Sequence, residues 1–487
     1  LINGMSTKIE DDDLVKAKEL FVQSIDYQNS GHLLKAIECL EEAFSLVPSR
    51  DSIINNLIIL YFTLKQNEKL KTFLTQVTSS QNKQLHNLGQ IYLNYLEEDF
   101  HKCIEDSNKL LSSENQSLTL QLYDILIKSY FKTHDISNVF LYSRKLLKDK
   151  SLYNQRLFSV GNILLCLSKP RAAKWFIQKS LNISFNQAYA FDLGFCYLQL
   201  KDFKNGFKYW NNRLEGHDAQ NKLFTKIPPL EKIENIENKK ILIWSEQGIG
   251  DTLNFARYIR LIKKYRPEIT FVVQKKLYEI FKKYYDDIKI FSYEDVIDNS
   301  YDYQTSLLNL IGILNSNYDE IPTDEFEFTH NKKIEQPIKR VGFAHSGNPS
   351  YFRDSYRSIK PDEFESIFSV KSINFFKINS HYEPYVDRHE NVEDVGHLSI
   401  QEIADKIKDF DLIITTDTFL VHLCGFFNVN CILLLNYNSD WRWFDDYKYT
   451  KWYSSVRIIK QKNISDWRNE INIIKRFLRY KSKKNLN

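Results

Sequence analysis

Two hydrophobic periods divide the chain. From about residue 14 to residue 215 apolar positions recur three and four apart, with no strand-like alternation, which predicts amphipathic helices. In "SIDYQNSGHLLKAIECLEEAFSLVPS" Ala36, Leu40 and Ala43 share a helix face. Pro48 stops that helix, because it lacks an N–H and clashes with the preceding turn. From Lys239 onward the period changes. "KILIWSE", "EITFVVQ" and "YDYQTSL" read as strands, and "IKRVGFAHSG", "NFFKINS", "DLIITTD" and "NCILLLN" form a second set. Between the first two strands, "DTLNFARYIRLIKKY" reads as one helix with Leu253, Ala256, Ile259 and Ile262 on one face. "SIQEIADKIKDF" opens with Ser399 and Glu402, a capping box in which hydroxyl and carboxylate each satisfy an orphan N–H. Alternating strands and helices predict parallel sheets covered on both faces. Two such blocks, 239–336 and 337–487, predict two doubly wound domains facing a cleft.

The helical half repeats. Tyr27, Ala36, Leu40, Ala43 and Pro48 stand at the relative spacings of a tetratricopeptide (TPR) repeat, whose period is about 34 residues. Tyr61 lies one period after Tyr27. Gly89 with Tyr92, Tyr130, Gly161 with Ala173, and Gly194 with Tyr197 mark later units. About six repeats fit, with irregular spacing in the middle. Stacked helix pairs make a solenoid whose concave face binds an extended peptide or a protein. Support of the second half, or self-association, is the alternative use of such an array. Residues 216–238, polar around Pro228 and Pro229, read as a connector.

Composition narrows the class. The 487 residues exceed one ordinary domain. The 66 basic and 62 acidic residues nearly balance, at a net charge of +4, which argues against a general nucleic-acid binder. Six scattered cysteines without a CxxC pair argue against a metal site or a disulfide framework and for a reducing cytoplasm. No run approaches the roughly 20 apolar residues of a membrane span. The opening "LINGMSTKIEDDD" lacks the apolar centre of a signal peptide.

In open parallel sheets ligands bind beyond the carboxyl ends of the strands. That rule selects three loops: 247–251, the stretch "HSGNPSYFRDSYRSI" from His345, and "TTDTFLVH" from Thr415. In the third, the strand is expected to end at Asp417 and a helix to begin at about Thr418. The free N–H groups there suit a pyrophosphate, and His422 lies one turn on. Arg353 and Arg357 in the second loop have guanidinium forks that pair with phosphate oxygens. Each residue also has a plainer use: Asp251 as a helix cap, His422 as a core histidine, the arginines as solvated surface.

The stretches "IWSEQGIGDTLNFARYI", "VGFAHSGNPSYFRDSYRSI", "LIITTDTFLVHLCG", "DWRWF" and "KWYSSVRII", in this order, resemble bacterial glycosyltransferases that join TPR repeats to a domain similar to the lipopolysaccharide heptosyltransferases (glycosyltransferase family 9). "DFKNGFKYWNNRL" looks like the last helix before the transferase in that family. The layout is also similar to that of the O-linked N-acetylglucosamine transferases. The resemblance implies a GT-B architecture, with the acceptor facing the N-terminal Rossmann-like domain and the nucleotide-sugar in the C-terminal one. It implies Asp251 as general base and Asp417, Thr418 and His422 as diphosphate ligands. Gln247, Gly250, Ser346, Asn348 and Arg357 complete the expected nucleotide-sugar site. No metal and no cofactor beyond the nucleotide-sugar co-substrate are expected. Two positions depart from the pattern: His345 stands where tryptophan is frequent, and Phe419 where glycine is.

The sequence therefore predicts an α + α/β chain: a TPR α-solenoid at 14–215, a connector at 216–238, and two Rossmann-like domains of GT-B type at 239–336 and 337–487. The implied activity is a cytoplasmic, bacterial glycosyltransferase whose array recruits a protein acceptor, flagellin or another surface protein for example. A glycan or lipid-linked acceptor, and an inactive TPR scaffold, are the competing readings. Inversion or retention at the sugar, the donor and the oligomeric state are left open.

Overall fold

The computed structural model of the chain describes residues 11–29, 32–64, 66–78, 83–112, 118–148, 153–215, 224–298, 300–323, 337–349, 354–379, 386–444, 448–464 and 466–483. It divides into two compact units, Leu1–Ser151 and Leu152–Asn487.

The first unit is built of helix pairs: α1 (Asp11–Asn29) with α2 (Leu33–Leu46), α3 (Asp51–Thr63) with α4 (Asn67–Thr78), α5 (Lys83–Leu96) with α6 (Phe100–Leu111), and α7 (Thr119–Lys132) with α8 (Ile136–Leu146). Ala36, Leu40 and Ala43 are fully buried in its core, as their spacing predicts. The second unit opens with two further pairs, α9 (Tyr153–Cys166) with α10 (Pro170–Ile183) and α11 (Gln187–Gln199) with α12 (Phe203–Trp210).

One turn recurs through all six pairs. The N–H of His32, Gln66, Asp99, Asp135, Lys169 and Asp202 each bonds the carbonyl five residues back, a helix-ending geometry that satisfies an orphan carbonyl. These donors lie 34, 33, 36, 34 and 33 residues apart. The residue before the donor is left-handed at Glu98, His134, Ser168 and Lys201. Asp99, Asp135 and Asp202 then cap the second helix of their pair through the carboxylate. The irregular middle is the 36-residue interval.

The α/β part holds two wholly parallel sheets. The first contains β1 (Lys240–Trp244), β2 (Glu268–Val273), β3 (Lys289–Ser292) and β4 (Tyr303–Ser306), in the order β3-β2-β1-β4. The second contains β5 (Arg340–Ala344), β6 (Asn374–Lys377), β7 (Val392–Asp394), β8 (Leu412–Thr416), β9 (Cys431–Leu435) and β10 (Val456–Lys460), in the order β10-β9-β8-β5-β6-β7. Counted from its own first strand that is 3-2-1-4-5-6, the Rossmann order, and the first sheet is its 3-2-1-4 half. The helices are α13 (Ile249–Phe255), α14 (Arg257–Lys263), α15 (Tyr278–Tyr284), α16 (Leu310–Ile313), α17 (Asp354–Arg357), α18 (Pro361–Phe364), α19 (Ile400–Lys406), α20 (Phe419–Phe426) and α21 (Arg468–Lys481). The chain is thus α + α/β, a TPR-like array followed by Rossmann-like sheets. Among the described residues no helix is long and apolar enough to cross a membrane.

Four local expectations are corrected. The helix after β1 begins at Ile249 and is broken at Ala256 into α13 and α14. Strand β8 ends at Thr416, so Asp417 lies in the bend before the helix. Strands β3, β7 and β10 were not expected. Within the connector, residues 224–238 are packed rather than loose. Phe224 and Ile227 are buried against Leu242, Trp244 and Val272, and Pro229 makes a parallel bridge to Gln304 outside β4. Proline fits there because an edge position need not donate to the ladder.

The last helix pair is built into the α/β part. Trp441, fully buried, has ring centroids of Phe207 at 5.9 Å, Trp210 at 5.6 Å and Phe255 at 6.0 Å around it. Arg213, just beyond α12, forks onto Glu246 at the end of β1, with Nε–Oε2 3.0 Å and Nη2–Oε1 2.5 Å. Both side chains are buried, and Arg213 also donates to Asn309.

Candidate functional site

The loops leaving the carboxyl ends of β1, β5, β8 and β9 meet. From β1 the chain turns at Gln247, whose φ of 60° is left-handed. Gly248, at φ −82°, is the N-cap of α13. The sharp turn is thus made by Gln247 and not by the two glycines of the loop. Asp251, third in α13, returns its carboxylate to the Gly248 N–H at 2.9 Å. Its other oxygen forms an ion pair with Arg442, in the tight turn Trp441–Trp443 after β9.

Arg442 is the hub. It is buried, lies over the Phe255 and Trp441 rings, bonds Asp440 at 2.6 Å and reaches the Gln247 side-chain oxygen at 3.4 Å. Burial works against its charge, but Asp251 and Asp440 outweigh that and keep it protonated. Burial raises the pKa of Asp251 above the ordinary carboxylate value, while Arg442 pulls the other way.

On the second sheet, Thr418 caps α20 by accepting from the Leu420 N–H, and its hydroxyl is 3.1 Å from that of Thr415. Asp417, before it, is pushed up to about 6, by burial first and then by Asp440, against Arg357. Arg357 donates to the Asp417 carbonyl at 2.6 Å and pairs with Asp354 at 2.9 Å, so it ties the loop after β5 to the loop after β8. A β-carbon on Gly347 would stand 2.4 Å from the Arg357 guanidinium and the Asp354 carboxylate, so a side chain there would have to displace that pair.

His422 is buried on the inner face of α20. Its Nδ1 is 2.8 Å from the Tyr453 hydroxyl, which donates to Asn254 of α13 at 2.9 Å. Burial first, then Arg442, Arg257 and Arg357, drive its pKa down to about 3, so the ring is neutral. The ring fills the space over Gly250, where a β-carbon would stand 2.8 Å from it. The space over Gly250 is therefore taken by His422 and leaves no room there for an acceptor. Helices α13 and α20 pack directly on each other, with no gap at this point.

The structure thus brings Gln247, Gly250, Asp251, Arg357, Asp417, Thr418 and His422 into one connected group. Ser346 is tied elsewhere, accepting from Asn379 at the end of β6, and Asn348 is exposed on the same loop. Arg353 lies outside the described residues. His345 is buried, with Nδ1 donating to the Ile359 carbonyl at 2.8 Å, and burial lowers its pKa to about 4. Sequence reasoning missed Arg442, Asp440 and Tyr453. The signal for Asp440 and Arg442 was an arginine between two tryptophans after an aspartate, in "DWRWF", which no ligand rule selects, and Tyr453, in "KWYSSVRII", carried none.

No protein-family model matches the sequence, and no curated protein matches it. Among solved structures, the chain is similar to the glycosyl transferase family 9 protein from Veillonella parvula DSM 2008, at 12% identity over 51% of this chain and 94% of that one, with a TM-score of 0.33. It is similar to E. coli heptosyltransferase WaaC with ADP at 11% identity, over 50% and 99% of the two chains, with a TM-score of 0.32. It is also similar to PilW, a type IV pilus biogenesis factor, at 13% identity over 42% and 96%, with a TM-score of 0.31. No residue's role rests on these likenesses.

Proposed function

We propose that the chain is a GT-B glycosyltransferase that moves a sugar from a nucleotide-sugar to a hydroxyl of a protein recruited by the helical array. One observation carries the reading: the loops at the carboxyl ends of both sheets converge on one buried polar group, where open parallel sheets bind ligands. The acceptor oxygen attacks the anomeric carbon, and the bond from that carbon to the diphosphate oxygen breaks. Asp251 takes the hydroxyl proton. The diphosphate leaves with the bonding pair, and its charge is met by Arg357, Arg442 and the positive end of the α20 dipole. Because burial raises its pKa, Asp251 is a stronger base than an exposed carboxylate. His422, being neutral, contributes hydrogen bonding rather than charge. The chain's own cations meet the leaving charge, so transfer is expected to survive EDTA.

A glycan or lipid-linked acceptor would use the same chemistry. The TPR scaffold reading has one observation in its favour: Asp251 is held twice, by Gly248 and by Arg442. A nucleotide panel separates the readings. An enzyme is stabilised by its cognate nucleoside diphosphate by about 2.7 kcal/mol at a hundred times Kd, and Arg357→Ala weakens that binding. A chain that no nucleotide stabilises is a scaffold.

A further inference from the structure

Helix α21 has one face in the core and one without a partner. Ile471, Ile474 and Leu478 are buried with Phe364 and Phe368 beneath the second sheet. The opposite side exposes Asn472, Ile473, Arg476, Arg479 and Tyr480, which fall on a single helical stripe, with exposed Lys483 just beyond the helix end. Residues 471–483 contain five cations and no acid. Among the described residues, Lys475, Arg476, Arg479 and Lys483 have no carboxylate within ion-pair distance.

This arrangement carries a cost that the fold does not offset. Lys475 and Arg479 are like charges one turn apart, which destabilise a helix. The helix dipole favours the cations of the last turn, but not Lys475 and Arg476 further back. Lys475, Arg476 and Arg479 line one shallow concave surface with the amide of Asn472 and that of Asn469, which donates to the buried Glu470 carboxylate at 2.9 Å. Beside it stand two exposed apolar groups, Ile473 at 36% and Tyr480 at 65% of full exposure. Three cations that converge beside the Asn472 amide suit a phosphate. An aliphatic and a phenolic side chain next to them suit the boundary between headgroups and acyl chains.

We infer that this face of α21 docks on an anionic phospholipid surface, with headgroup phosphates in the Lys475–Arg476–Arg479 concavity and Ile473 and Tyr480 at the polar–apolar boundary. The exposed apolar pair favours lipid over a nucleic acid or an acidic protein, which the cations alone would also serve. The inference does not depend on the chemistry proposed above.

The test is sedimentation of the full chain with vesicles of phosphatidylcholine alone or mixed with phosphatidylglycerol. Binding to the mixed vesicles, absent with the neutral ones and reduced by salt, is expected. Arg476→Gln with Arg479→Gln should lower the partition about 25-fold, at roughly fivefold per cation. Ile473→Ser with Tyr480→Ser should lower what binding remains at high salt. All four positions are exposed, and an unchanged melting curve shows that each variant is folded. Failure to bind the anionic vesicles overturns the inference, as does equal binding by the arginine variant. Capture of polyglutamate or DNA instead of vesicles would give the face to a different partner and also overturns it.

Discussion

Asp251 serves a helix and an arginine at the same time, and its two roles make opposite forecasts. Asp251→Asn keeps the shape and the cap, since asparagine caps about as well as aspartate. It cannot readily take a proton. If Asp251 is the base, turnover falls by about 100-fold or more while nucleotide affinity is little changed. Near-normal turnover in steady-state kinetics would leave only the structural role. The buried histidines make a second forecast, about pH. His345 holds a folded pKa of about 4, below its ordinary value, so the unfolded chain accepts a proton that the folded chain refuses. That contribution to stability is present above about pH 6.5 and is lost as the pH falls towards 4, at a cost of up to about 3 kcal/mol. His422 adds in the same direction. Asp417, raised to about 6, acts oppositely: the folded state gains as the pH falls through that value. Asp251, raised by burial, acts with Asp417, but the larger downward shifts of the two histidines leave a net loss. Denaturant titrations should show lower stability at pH 5 than at pH 7. His345→Asn, which keeps a donor for Ile359, should flatten the difference; an unaltered slope would clear His345.

At the scale of elements, the contact that decides the site is α13 on α20. Gly250 lets the helices touch, because the ring of His422 sits where a β-carbon would be. Gly250→Ala is expected to cost about 1–3 kcal/mol by overpacking, despite alanine's better helix propensity. Gly248→Ala is the control. Its nearest neighbour would be the flexible Asp251 carboxylate at 3.2 Å, and its φ is ordinary. Equal stability of both variants in denaturant unfolding would mean that α13 and α20 separate easily. Elsewhere the elements repeat a left-handed turn residue, followed by a carboxylate cap at Asp99, Asp135 and Asp202. Non-glycine residues occupy that turn, at a local cost of about 1–2 kcal/mol each. Packing of the pairs offsets that cost.

For the second unit as a whole, the joint between α12 and β1 is a buried ion pair, so its two ends are coupled. Arg213→Ala strands Glu246 in the interior and is expected to destabilise the unit by about 3–5 kcal/mol. Arg213→Met with Glu246→Met should recover most of that loss, because the apolar pair has no charge to desolvate. Chemical denaturation followed by tryptophan fluorescence and by helical circular dichroism reads this out. Trp441 and Trp210 sit at the joint, so both signals should move together. A small loss in Arg213→Ala, with the two signals separating, would show that the helix pair is only loosely attached. A chain truncated to begin near Lys239 would lose Arg213 and half of the Trp441 cluster, so it is a poor vehicle for testing the array.

Local pattern was enough for much of this chain. Helical periodicity marked the array, and the apolar runs of β1, β2, β5, β6, β8 and β9 marked the sheets, because strands buried on both faces must be apolar along their length. The Ser399–Glu402 capping box was legible because both partners lie within one turn. Strands β3 and β7 were not legible: they are four and three residues long, with exposed or half-buried positions, so no run stands out. The turns of the array hid their period, since left-handed geometry there is held by Glu98, His134, Ser168 and Lys201 rather than by glycine. The site divided in the same way. Asp251, Asp417, Thr418 and His422 stand at strand ends, which the sequence marks. That Arg442 would hold Asp251, that His422 would fill Gly250's space and that Arg213 would lock Glu246 depended on groups far apart in the chain. Only tertiary packing sets their distances, and the charge and burial that shift each pKa exist only once those groups have met.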